Sequence, residues 1–109
     1  MRVVNLTPHN VTVYDGDAVI MTYPSEGVAR VHQTDVIVGF LNETPVVETE
    51  FGEVYGLPAP TEGTVYIVSA ITVNAAKAHG RTTDDLLVTS GPVRDDKGRV
   101  IGCRAFALV

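Results

Sequence analysis

Six of the eight basic side chains are arginines: Arg2, Arg30, Arg81, Arg94, Arg99 and Arg104. Lysine would serve solubility alone, whereas the guanidinium fork pairs at two points with phosphate or carboxylate and stacks on bases. Arg94 and Arg99 flank Asp95-Asp96-Lys97-Gly98, a hairpin turn signal that brings them near one another across two strands. Two readings compete for them. They line a site for a small anionic ligand or a subunit interface, or they pair with neighbouring carboxylates in a chain that has 13.

A second anion-friendly feature is the step from Val68 through Ser69 into the one persuasive helix, whose first backbone N–H groups lack partners. Ser69 is read as the N-cap, with its hydroxyl available to a ligand and Thr72 beside it in the first turn. No glycine-rich loop precedes it, so neither a phosphate loop nor a dinucleotide fingerprint is present. The glycines that flank a nucleophile elbow are missing too. Past the helix, Arg81-Thr82-Thr83-Asp84-Asp85 groups an arginine, hydroxyls and two carboxylates. Such a cluster suits a ribose or base, with Asp84 as the hydrogen-bonding carboxylate; a solvated loop with a local turn bond is the plainer reading. Of three scattered histidines, His9 stands out because it follows Pro8 at a bend, which can aim a side chain into a cleft. His79 beside Gly80 reads as a helix C-terminal residue. The histidines share no metal-ligand spacing, so no metal or cofactor is expected. The single Cys103 excludes an internal disulfide and reads as an inert buried thiol.

These residues need a scaffold, and composition points to a sheet. Val (19), Thr (12) and Ile (5) are β-branched and make up about a third of the 109 residues, which favours pleated strands. The length fits a single domain over 1–109, without repeats or linkers. Short strands are expected at 2–6, 10–14 and 18–23, the last two forming a hairpin around Asp15-Gly16-Asp17. Further strands fall at 28–31, 36–40 and 46–51, with a turn at Asn42-Glu43-Thr44-Pro45 and a loop from Gly52 to about Gly63. Thr64 to Val68 reads as the buried central strand. The helix spans about 69–79, with Val68, Ile71, Ala75 and Ala78 at core-facing spacing and Gly80 ending it. Leu86-Leu87-Val88 resumes the strands, and Val93 with Val100-Ile101 makes the C-terminal hairpin. The expected class is α+β, a mostly antiparallel sheet or small barrel with one helix before that hairpin.

The net charge of −5 argues against a nucleic-acid polymer as partner, and no apolar run is long enough to span a bilayer. With no basic-apolar leader, a cytoplasmic protein is expected.

Three motifs in order, Asn5-Leu6-Thr7-Pro8-His9, Phe51-Gly52-Glu53-Val54-Tyr55-Gly56-Leu57-Pro58 and Arg94-Asp95-Asp96-Lys97-Gly98-Arg99-Val100-Ile101-Gly102-Cys103, resemble a family of small, functionally uncharacterised proteins of tailed phages and prophages. The resemblance implies a phage origin, hence the host cytoplasm, and carries no catalytic residues. It favours proteins that block host systems. The leading expectation is a non-catalytic homo-oligomer that sequesters a small anionic, nucleotide-derived signal of host defence, using Arg94, Arg99, Arg81, Ser69, His9 and Asp84. The alternatives are an inhibitor that binds a host protein or a minor phage structural protein, and, less favoured, a small nucleotide hydrolase built on His9 with Asp84 or Asp85.

Overall fold

The computed structural model describes residues 1–109. Eight strands and one helix follow one another as β1 (Arg2–Asn5), β2 (Val11–Asp15), β3 (Ala18–Tyr23), β4 (Arg30–Leu41), β5 (Thr44–Tyr55), β6 (Thr64–Ile67), α1 (Ala70–Ala78), β7 (Leu86–Arg94) and β8 (Val100–Ala107). Six strands form one curled, half-barrel sheet in the order β1-β6-β7-β8-β2-β3, and β4 with β5 forms a separate two-stranded ribbon. The class is α+β with a single helix, as the β-branched composition implies. The long ladders, β4–β5, β7–β8 and β2–β3, are antiparallel. The short ladders that tie β6 to β1 and β7, and β2 to β8, are parallel.

Strand β6 is buried, as its run of apolar residues demands, with Tyr66, Ile67 and Val68 all covered. It is not the expected middle strand but lies second in the sheet, between the edge strand β1 and β7. Alternation sends successive side chains to opposite faces. Tyr66 and Val68 join Val4, Leu6, Val73, Ala76 and Leu86 under the helix, while Ile67 packs with Val11, Val13 and Cys103 on the other face. Ser69 caps the helix, and Gly80 leaves it with φ +84°. The face of α1 that reaches the sheet is Thr72, Val73, Ala75 and Ala76. Ile71 and Ala78, expected on that face, are exposed and border a cleft shared with Phe51 of β5, because the helix is rolled so that Val73, not Ile71, meets the sheet.

The ribbon is where the chain departs most from the sequence reading. The pieces expected at 28–31 and 36–40 are one continuous twelve-residue strand, β4. Strand β5 runs on through Gly52 to Tyr55, so the loop expected from Gly52 begins at Gly56 instead. Gln33 and Asp35, polar residues that break the apolar alternation, flank Thr34, and all three are held in register by Phe51, Thr49 and Glu50 opposite. Asn42 takes the positive φ, +54°, of the tight turn at the tip. The base of the ribbon packs on the helix, where His79 Nε2 lies 2.9 Å from the Gly52 carbonyl. The rest projects, so the radius of gyration is 16.6 Å, against roughly 13 Å for a compact chain of this length.

Candidate functional site

The bend between β1 and β2 is organised by one buried side chain. Asn5 is fully buried. Its Nδ2 donates to the carbonyls of His9 (2.8 Å) and Tyr23 (2.9 Å), and its Oδ1 accepts from the Thr7 backbone N–H (3.0 Å) and hydroxyl (2.7 Å). Ser25 closes the knot from the other side. Its hydroxyl donates to the Thr7 carbonyl at 2.6 Å and its N–H to Asn10 Oδ1 at 3.1 Å. A loop containing Pro8 cannot be held by ladder bonds alone, so these side chains do the holding. They set Thr7 and His9 opposite the start of α1.

On the facing side, Ser69 leaves β6 in extended geometry (φ −75°, ψ 156°). Its Oγ accepts from the Thr72 N–H at 3.3 Å and lies 2.9 Å from the Thr72 hydroxyl. Two cavities open on either side of the Thr7–Ser69 gap. The larger, about 450 Å³, is lined by His9, Asn10, Thr12, Ser69 and Thr89 among others. The smaller, about 270 Å³, carries Thr7, Arg30, Gln33, Tyr55, Ser69 and Thr72. Neither wall contains a carboxylate, in a chain with 13 of them. Burial pushes the thiol of Cys103, on the wall of the larger cavity, above its ordinary range, so it stays protonated.

Arg30 is the cation of this region, and it differs from every other arginine. Arg2 pairs with Glu26 at 3.1 Å, and Arg104 donates to the Gly16 carbonyl at 2.8 Å. Arg94 donates to the Gly98 carbonyl at 2.8 Å, and Arg99 pairs with Asp95 at 2.8 Å. Arg81 grips Asp85 at 2.8 and 3.0 Å while also donating to the carbonyls of Thr82 and Pro58. Only the Arg30 guanidinium makes no hydrogen bond or ion pair. It sits where a helix start also presents positive partial charge, which is an arrangement that receives an anion.

Of the residues singled out in the sequence, His9 and Ser69 come together on one cavity. Arg94 and Arg99 remain on the β7–β8 turn, outside both cavity walls, each engaged locally. Arg81 lines a different cavity with Glu53, Leu57 and His79, and Asp84 is exposed without a side-chain bond. A His9–carboxylate pair is therefore not assembled: Asp85 is committed to Arg81, and neither Asp84 nor Asp85 borders the cavity that His9 lines. No three His, Cys, Asp or Glu side chains converge as a metal site would need. No helix is long and apolar enough to cross a membrane. Sequence reasoning missed Arg30, Asn5 and Thr7. The Asn-x-Thr spacing of the last two was a usable signal for a side-chain-locked turn. No protein-family model, curated protein or solved structure matches the chain.

Proposed function

We propose that the protein is a non-catalytic binder of a small anionic molecule, held between Arg30, the Ser69–Thr72 helix start and the His9 cavity. The observation that carries this reading is the unpaired Arg30 guanidinium on a carboxylate-free wall. An anion placed there gains a fork donor and a helix N-terminus, and meets no like charge. The hydroxyl and amide groups of Thr7, Asn10, Thr12 and Thr89 on the adjoining wall suit the hydroxyls of a sugar, so the ligand class is nucleotide-derived. The combined space fits a molecule of that size. The likeness of the three motifs to small phage and prophage proteins supports a role in the host cytoplasm as a phage-encoded sink for a nucleotide signal of host defence.

The test is a thermal-shift panel of mono- and cyclic nucleotides on the wild type and on Arg30→Ala. A ligand at about 100 times its dissociation constant stabilises the fold by about 2.7 kcal/mol. The expected result is a shift for at least one compound, lost in Arg30→Ala, with the ligand recovered chemically intact. Recovery as a cleaved product contradicts the non-catalytic reading, and no shift with any compound contradicts the binding one. A second reading, docking onto a host or phage protein, is favoured by the projecting apolar ribbon.

A further inference from the structure

We infer that the β4–β5 ribbon is an assembly arm that seats on a second copy of this chain, against the β7–β8 turn. Three observations carry it. The first is that the ribbon is apolar on both faces. Register places Ile37, Val47 and Phe40 on one side and Val46 and Leu41 on the other. Phe40 and Leu41, at the tip, are 67% and 71% exposed. The base of the ribbon rests on the helix, but its projecting half is covered on neither face. A two-stranded ribbon left so is marginal in water, so this half needs a cover.

The second is area. The chain exposes 7257 Å², whereas a compact monomer of 11.6 kDa exposes roughly 5,800 Å². A standard stable interface takes about 800 Å² from each partner. A subunit that gives its arm to one copy and receives an arm from another would bury about 1,600 Å², close to the excess of roughly 1,400 Å².

The third is charge, which says where the arm goes. Beyond Arg30 the ribbon holds Asp35, Glu43, Glu48, Glu50 and Glu53 and no lysine or arginine. Arm against arm would set carboxylates on carboxylates. The β7–β8 turn has a net positive charge, with Arg94, Lys97 and Arg99 against Asp95 and Asp96. Arg99 pairs with Asp95, which leaves Arg94 and Lys97, neither in an ion pair, and the exposed Asp96 beside Val100 and Ile101 (58% and 44% exposed). An acidic apolar strand pair and a turn of net positive charge on distinct surfaces make a donor–acceptor contact, closing as a reciprocal pair or a ring.

Val100 and Ile101 also border the His9 cavity, so the experiment is mass by light scattering and sedimentation on the full chain without ligand, where assembly is read independently of anion binding. The wild type is expected at twice 11.6 kDa or a higher multiple. Phe40→Asp with Leu41→Asp should reduce it to the monomer with an unchanged circular dichroism spectrum, because both side chains face solvent. Glu48→Lys with Glu50→Lys should weaken assembly at low salt, and so should Arg94→Glu with Lys97→Glu. Mixing the two charge-reversed proteins should restore it. A wild-type monomer at all concentrations overturns the inference, as does an oligomer indifferent to the tip substitutions. An oligomer sensitive to the tip but not to either charge reversal overturns the seat on the turn.

Discussion

Replacing Asn5 by Ala removes the side chain that fixes the β1–β2 bend. Four hydrogen bonds end on its amide, at 2.7 to 3.0 Å. The Thr7 hydroxyl already reaches the His9 carbonyl at 3.1 Å and keeps that partner after the change. Three bonds are then lost outright, at about 1 kcal/mol net each, giving a loss of about 3 kcal/mol. For a domain of this size that lowers Tm by roughly 12–20 °C. Urea titration of both proteins, with equal slopes, measures it directly. Asn5→Asp separates hydrogen bonding from volume: it preserves shape but turns a carboxylate oxygen toward the carbonyls of His9 and Tyr23, so it should cost at least as much as Ala at neutral pH. A loss under about 1 kcal/mol in Asn5→Ala, or a neutral Asn5→Asp, would refute the account of the bend and of how His9 is placed.

Arg81→Ala should destabilise by about 2–4 kcal/mol, since it strands the mostly buried Asp85 carboxylate, yet leave anion binding intact; a denaturation curve and one titration read both. In Gly102→Ala the new methyl would meet the Tyr14 ring and lie 2.5 Å from the Thr12 carbonyl oxygen, and the expected cost, read by thermal melting, is about 1–3 kcal/mol. Asp95 is held below its ordinary 3.8, first by the Arg99 backbone N–H and also by the Arg99 guanidinium and the Lys97 N–H. A depressed carboxylate contributes stability above its unfolded value and loses it as pH falls through the folded one. The β7–β8 turn should therefore hold at pH 5 and above, to within about a unit, and loosen below 3.8, with amide exchange at Lys97 and Arg99 rising first.

Local signals were readable and long-range ones were not. The helix could be bounded from Ser69 and Gly80 because a cap and a left-handed exit are local chemistry. Burial of β6 followed from an unbroken run of β-branched and aromatic residues. The ribbon could not be read in full: Gln33-Thr34-Asp35 and Gly52 interrupt the alternation, and what keeps them in strands is the partner opposite, a pairing no short window contains. The same limit applies at the site. The proline bend and the N-cap pointed to His9 and Ser69. Arg30 sits between Ala29 and Val31 without a motif, and its significance appears only once the other five arginines are seen to be engaged. Arg94, Arg99 and Arg81 drew attention by type and spacing, but each has a local acceptor or carboxylate within hydrogen-bond reach.

The central claim is that an anion binds between Arg30 and the start of α1. The most direct measurement is amide chemical-shift mapping of the labelled protein titrated with a nucleotide from the panel. The account predicts saturable shifts clustered at Thr7, His9, Arg30, Ser69 and Thr72, abolished by Arg30→Ala. Shifts confined to the Arg94–Arg99 turn or to Arg81 and Asp85, or none with any nucleotide, would contradict it.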